Sequence, residues 1–415
     1  MSTTARKAWQ SPHPATIIQV FNRYLEAGGE ERSVIRIGED LAAAGHRVVR
    51  FWKASAEWQT AEAPPRWKQP WLLWRNRPVL DELRRVHRSE SADLWLLHNV
   101  IPVVSLGVYR LAKELGVPII QWLHNYRPIS VGASMFAGAR PRRPDDAWGN
   151  LKECWHGSWR GPWLTSWLAM GYWLLKRRGD YESVRAWVAV SDEMRQVFAR
   201  AGWFPGRLFS VRHSWHTQLL PPSNQDQGHF LFLGRMIEEK GVRFLVNLWQ
   251  RPELRNTPLV MAGQGPLVEA LRSVSPDQVR WVGHVSGARK QALIAGCRAV
   301  LFPCIWSEPL STVAYEAYEH GKPVLASNLG GMREVVVDGE TGRLLEAANS
   351  EAWLGAIAEL DAHASRRLGL AGRRWLETHV SPDLWNQQFD AIATQVRRWN
   401  ESGEVARPTG SRDQP

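Results

Sequence analysis

Short apolar runs separated by amphipathic stretches recur through the first 215 residues. Thr16–Val20 (TIIQV) predicts a strand, followed by a glycine-bearing loop at 24–30, a helix to about Ala44 closed by Gly45, and a strand at His46–Phe51. Leu94–His98 (LWLLH) predicts a third strand, and Val117–His124 (VPIIQWLH) a fourth after a helix closed by Gly116. Short apolar strands alternating with helices and glycine stops describe a parallel sheet with crossover helices. Residues 53–78 and 130–148, rich in Trp, Pro and polar side chains, follow neither period and are expected to be irregular.

The alternation resumes after a polar linker, Pro221–Gly228. His229–Leu233, Pro258–Ala262, Val279–Val282, Ala299–Pro303 and Pro323–Ala326 predict strands; Val242–Trp249 and Leu310–His320 predict helices, the second stopped by Gly321. The fold class expected is α/β, with two doubly wound Rossmann-like domains. They span residues 1–220 and 221–383, with a further helix at 384–403, placed as a possible return to the first domain, and a polar, disordered tail at 404–415. Open sheets of this kind bind ligands at the carboxyl ends of their strands, so facing sheets would hold the active site in the cleft between them.

Composition narrows the class. Hydrophobic residues at 44% and charged residues at 22% describe a globular chain rather than a disordered one. No run of eighteen apolar residues exists to span a membrane, and no apolar stretch follows Arg6 and Lys7 as in a signal peptide. Three cysteines form neither a disulfide framework nor a CxxC zinc pair, which points to the cytoplasm. The net charge of +11 is uneven: residues 1–215 hold 31 basic against 19 acidic residues and 17 of the 24 tryptophans, whereas the remainder is near neutral. That asymmetry admits an anionic membrane surface, a nucleic acid or a phosphorylated substrate as partner. The basic residues are scattered rather than gathered on a recognition helix, which argues against nucleic acid.

Candidate chemistry centres on Ser307-Glu308-Pro309-Leu310-Ser311-Thr312-Val313-Ala314-Tyr315-Glu316. The amides of Leu310, Ser311 and Thr312 are expected to open a helix and favour an anionic or hydroxyl-rich ligand, with Glu308 and Glu316 accepting from vicinal sugar hydroxyls. Taken alone, the segment also fits an ordinary charged helix start.

This segment, with Gly321-Lys322-Pro323-Val324 and Asn328-Leu329-Gly330-Gly331-Met332-Arg333-Glu334, resembles the family 4 retaining glycosyltransferases. Gly234-Arg235-Met236-Ile237-Glu238-Glu239-Lys240-Gly241 and Ala262-Gly263-Gln264-Gly265-Pro266 carry the same resemblance, in the same order, over about residues 228–347. In the first half it rests on Gly28-Gly29-Glu30, Ala44-Gly45-His46-Arg47-Val48 and His124-Asn125-Tyr126-Arg127.

The resemblance implies a GT-B fold and a nucleotide-sugar donor held mainly by the second domain. It gives Glu308 to the donor sugar, Glu316 to the ribose hydroxyls, Arg235 and Lys240 to the diphosphate, and His124 to the donor sugar near the reacting centre. Fixed cations would stabilise the charge that builds on the leaving diphosphate, so no cofactor and no metal are implied. His98 also ends a strand and is read as a structural cap. Gly28 and Gly29 are read as letting the backbone approach the ligand. Ser311, where the family often has Gly, still supplies an N–H, and Cys304 is read as packing behind the loop.

The reading is therefore a glycosyltransferase building a cell-surface glycan or glycolipid, with a glycan or lipid-linked acceptor. The alternatives are an epimerase of the same fold or a non-catalytic sugar-nucleotide binder. A cytoplasmic location is expected, with the inner membrane face as a docking surface. The motive is Trp163, Trp167, Met170 and Leu174 on one helical face from Pro162, followed by Lys176-Arg177-Arg178. A core helix with a basic cap fits the same stretch.

Overall fold

The computed structural model describes residues 9–25, 28–137, 140–146, 148–217 and 226–402. The polar tail 404–415 and most of the 221–228 linker lie outside the described residues. Two compact units are present, one ending at Ser214 and resuming at Pro382, the other running from Trp215 to Ser381.

The first unit contains β1 (Thr16–Arg23), α1 (Gly29–Ala43), β2 (Arg47–Ala54), α2 (Gln69–Trp74), α3 (Arg77–Glu90), β3 (Leu94–Leu97), α4 (Gly107–Leu115) and β4 (Ile119–Leu123). A two-stranded hairpin, β5 (Phe136–Ala137) and β6 (Arg140–Pro141), interrupts the next loop, and α5 (Gly149–His156), α6 (Pro162–Arg177), β7 (Val184–Ala189), α7 (Asp192–Arg200) and β8 (Leu208–Ser210) complete the unit's run. The region 53–78, expected to be irregular, thus holds a short helix. Gln69-Pro70-Trp71-Leu72-Leu73-Trp74 has too few residues to show a period, and it is held by Trp74 stacking on Trp167 at 4.4 Å. Burial repeats on α1 at Val34, Ile37 and Leu41, the spacing of one helical face.

The main sheet has the order β2-β1-β3-β4-β7-β8 and is parallel throughout. Strand order reverses between β1 and β3. The carboxyl ends of the strands flanking such a reversal are where open sheets receive ligands.

The second unit holds β9 (His229–Leu233), α8 (Val242–Trp249), β10 (Leu259–Ala262), α9 (Val268–Arg272), β11 (Val279–Gly283), α10 (Gly287–Gly296), β12 (Cys297–Phe302), α11 (Val313–Glu319), β13 (Val324–Ser327), β14 (Gly342–Leu345), α12 (Ser350–Glu359) and α13 (Ala362–His379). Its parallel sheet has the order β11-β10-β9-β12-β13-β14, reversing between β9 and β12. Phe232, Leu245, Trp249, Leu301 and Trp353 form part of its core, all nearly or wholly buried. Trp215, in the stretch before the expected boundary, belongs here because its amide donates to the Val380 carbonyl (2.7 Å) and its ring meets Tyr315.

α14 (Pro382–Ser402) groups with the first unit. Asp390 accepts from Ser11 Oγ and Trp9 Nε1 and lies 3.0 Å from His46 Nε2, while Trp385 packs on Trp122.

One helix differs from expectation. α11 begins at Val313, not Leu310, with Thr312 as its cap. The chain through 310–312 stays irregular because Gly331 donates to the Glu308 carbonyl (2.8 Å), which ties this loop to the one after β13.

Candidate active site

In the second unit the reversal of strand order places the loops after β9 and β12 side by side. Gly241 adopts φ +70°, and a Cβ there would lie 1.9 Å from the Pro303 carbonyl oxygen. Only glycine permits that approach. The contact, with the Ile305 amide donating to the Glu239 carbonyl (3.1 Å), locks the two loops together.

The lock brings Lys240 onto Glu308, with Nζ 2.7 Å from both carboxylate oxygens. Each side chain is only 13% exposed. Burial alone would lower the Lys240 pKa. The charge of Glu308, the adjacent Cys304 and the hydrogen bond outweigh it and hold the ammonium above its ordinary value. Arg235, at the start of the same loop, is exposed. The Leu310, Ser311 and Thr312 amides precede the helix rather than forming its first turn, and among the described residues they have no protein acceptor.

Glu316 is buried on α11, where Lys290 Nζ of α10 donates to Oε1 at 2.8 Å. It is therefore not the solvated helix residue that a charged-face reading would allow. Lys290 was not singled out in the sequence, since nothing in Gly287–Gly296 distinguishes it from a surface lysine. Cys304 is 2% exposed, and burial pushes its thiol well above the ordinary range, which agrees with packing rather than nucleophilic chemistry.

In the first unit His98 follows β3, His124 follows β4 and His213 follows β8. His98 Nδ1 lies 2.9 Å from His124 Nε2, and the His124 and His213 rings stack with centroids 5.9 Å apart. Burial lowers all three pKa values: to about 3 for His98 and His213, and well below the ordinary value for His124, where His98 and His213 add to the effect. His98 is thus part of this cluster rather than an isolated cap.

A cavity lies against the cluster, lined among others by Glu30, Asn125, Arg127 and Tyr172. Glu30 Oε2 accepts from Tyr24 (2.9 Å) and Asn125 (3.3 Å), while Oε1 is buried with no partner among the described residues. Burial raises Glu30 to about 7 against the opposing pull of Tyr24, Arg127 and Asn125. Glu30 stands beside Gly28-Gly29 in the sequence, and that adjacency was the available signal. A Cβ at Gly28 or Gly29 meets no atom of the described residues within 4 Å, so no protein contact there requires glycine.

The pKa directions carry a testable consequence. The three histidines are neutral when folded and protonate at about 6.5 when unfolded, so the unfolded state binds more protons below that value. Stability from this source is complete above pH 6.5 and is lost as pH falls below it, toward about 3 for His98 and His213. Glu30 opposes it, because its raised pKa makes the folded state the better proton binder between about 7 and 4.5. Three groups outweigh one. At about 1.4 kcal/mol per pH unit per group, the first unit is expected to lose roughly 2–4 kcal/mol between pH 6.5 and 5. Denaturant melts across that interval check this, and a flat profile would mean that the histidines titrate normally.

Residues 27–211 match the family described as Glycosyltransferase Family 4, and residues 227–363 match the one described as Glycosyl transferases group 1. The GDP-mannose-dependent alpha-(1-6)-phosphatidylinositol monomannoside mannosyltransferase of Mycolicibacterium smegmatis is 30% identical over 34% of this chain and 41% of its own length. Its Mycobacterium tuberculosis counterpart is 28% identical over 42% of this chain and 48% of its own length. The chain thus spans less than half the length of either mannosyltransferase. Alpha-maltose-1-phosphate synthase of M. smegmatis is 28% identical over 70% of this chain and 76% of that protein. Among solved structures, Anabaena HepE in complex with UDP-glucose is similar in fold, with TM-score 0.65 and 16% identity over 92% of this chain and 100% of that one.

Proposed function

The chain belongs to the family 4 glycosyltransferases of the GT-B fold, and on that premise we propose that it moves a sugar from a nucleotide-sugar donor to a glycan or lipid-linked acceptor. The observation that carries this reading is the cluster at the switch point of the second unit. Lys240 and Arg235 supply positive charge, the amides of 310–312 supply donors, and Glu308 and Glu316 supply carboxylates. Cations and amides suit a diphosphate, and carboxylates suit sugar and ribose hydroxyls.

Cleavage of the sugar–phosphate bond leaves negative charge on the diphosphate, which a preorganised Lys240 stabilises more as it develops than before. The proposal includes retention, with the acceptor hydroxyl attacking on the face the diphosphate leaves and no carboxylate acting as nucleophile. It also includes independence of metal, with the fixed cations of Lys240 and Arg235 doing that work on the diphosphate. The UDP-glucose held by HepE and the GDP-mannose named for the mannosyltransferases make those two donors the first to try. Thermal shift with a nucleotide-sugar panel in EDTA tests donor binding. A shift with at least one donor is expected, and none across the panel would defeat the reading.

A lipid-linked acceptor would require docking at a bilayer, and the first unit presents a surface for it. Trp71 of α2 and Trp163, Met170 and Trp173 of α6 are all exposed, and Arg177 lies 5.1 Å over the Trp173 ring. Aromatic and basic side chains together suit an anionic interface. Trp167 is different: it stacks on Trp74 and donates from Nε1 to the Pro70 carbonyl at 2.8 Å. No described helix is long and apolar enough to cross a membrane. Trp163→Ala is expected to leave the melting temperature unchanged and weaken flotation with anionic vesicles. Trp167→Ala is expected to cost about 3 kcal/mol of stability. Wild-type protein that fails to float at low salt would leave the acceptor soluble.

A further inference from the structure

Gln19 is a polar residue inside the apolar strand β1, and it is fully buried. Its Nε2 donates to the Val34 carbonyl at 2.8 Å and sits 3.3 Å from His98 Nε2. Its Oε1 is buried with no partner among the described residues. The backbone carbonyl of Val34 can only accept, so the amide nitrogen must face it. That orientation presents a second N–H to His98 Nε2, which must then be the bare, accepting nitrogen. A neutral imidazole carries one proton, so His98 holds it on Nδ1 and donates it across 2.9 Å to His124 Nε2. The reverse arrangement would set the Gln19 oxygen against the Val34 oxygen or two N–H groups against each other.

We infer that Gln19 and His98 are positioning residues that fix His124 as the Nδ1–H tautomer, a neutral hydrogen-bond donor to a substrate oxygen and not a base. His124 Nε2 is occupied as an acceptor. Its Nδ1 has no protein partner among the described residues, and the ring lines the cavity beside Glu30, Asn125 and Arg127. The groups facing the three rings are Gln19 at His98, Arg36 near His213, and Glu30 and Arg127 across the cavity. None of the three histidines has a carboxylate within ion-pair distance among the described residues, so none of these residues holds an imidazolium there. Burial, which lowers all three pKa values, agrees.

The Gln19 position depends on Gly38. A Cβ at residue 38 would come within 2.9 Å of Gln19 Oε1, so a methyl there pushes the amide away from its partners.

This inference rests on reading His124 as a substrate-contacting residue, but its test does not need turnover. In the ligand-free, ¹⁵N-histidine-labelled full chain, two-bond ¹H–¹⁵N correlations distinguish the two neutral tautomers. His124 is expected to show a protonated Nδ1 and a bare Nε2, unchanged from pH 8 to pH 5. Gln19→Leu, or Gly38→Ala if the leucine variant does not fold, is expected to shift His124 toward the Nε2–H form. A wild-type Nε2–H signal, a titration near pH 6.5, or an unmoved tautomer in a folded variant would each overturn the assignment. With a donor substrate, His124→Asn, whose amide nitrogen can replace Nδ1, is expected to retain at least tenfold more activity than His124→Gln, whose nitrogen replaces Nε2. Failure of transfer in wild type would count against the proposed function and leave the tautomer result standing.

Discussion

Lys240→Ala is expected to lower kcat/KM for transfer by about 10- to 150-fold, the rate equivalent of about 1.5–3 kcal/mol for a charge-assisted contact felt in the transition state. Two effects combine. The leaving diphosphate loses a cation, and Glu308 loses the ammonium that lies 2.7 Å from both its oxygens. An unpaired, nearly buried carboxylate beside a departing diphosphate repels it, which places the variant toward the upper end of that range. The double variant Lys240→Ala with Glu308→Gln separates the two effects. It removes the stranded charge, so its loss is expected to be smaller than the sum of the single losses, a coupling of about 0.5–3 kcal/mol. Steady-state kinetics at saturating acceptor measure this. Additive losses would mean that the pair seen in the structure is not the arrangement that works on the donor.

If Glu316 holds the ribose hydroxyls as proposed, Glu316→Gln is expected to raise the apparent donor KM by about tenfold or more with little change in kcat, because such contacts are made equally in ground and transition states. Lys290 sharpens the expectation. Its Nζ occupies Glu316 Oε1 at 2.8 Å, which leaves Oε2 for a hydroxyl. Lys290→Ala should therefore move KM in the same direction by letting the carboxylate turn away. It should also cost stability, since Glu316 is left buried and unpaired; about 3–5 kcal/mol is usual for a broken buried pair. A fall in kcat in Glu316→Gln with KM preserved would exchange the roles given to Glu308 and Glu316.

The two parallel sheets were legible because each strand is a short apolar run bounded by helices and glycines, a pattern that depends on local sequence alone. The second-unit loops were legible for another reason: Gly241 and Gly331 leave no room for a side chain, so their positions record contacts with backbone elsewhere. Pairings between distant side chains were not legible. Nothing local says that Lys240 reaches Glu308 or that Lys290 reaches Glu316, because both depend on which strands become neighbours. The helix start at Val313 was misplaced for a similar reason, since the tie between Gly331 and Glu308 overrides the helical pattern of 310–312. The histidine cluster combines both cases: His98 and His124 are visible as strand ends, and their contact follows from β3 lying beside β4.

The most direct test is to follow the anomeric proton of UDP-glucose or GDP-mannose by ¹H NMR in EDTA with a panel of glycan and glycolipid acceptors present, with wild type and Lys240→Ala side by side. The expected result is consumption of at least one donor by wild type, release of nucleoside diphosphate, a product with the donor's anomeric configuration, and a rate at least tenfold lower in the variant. An inverted product, an absolute need for a divalent cation, or an undiminished rate in Lys240→Ala would contradict the proposal that this chain is a metal-independent retaining glycosyltransferase.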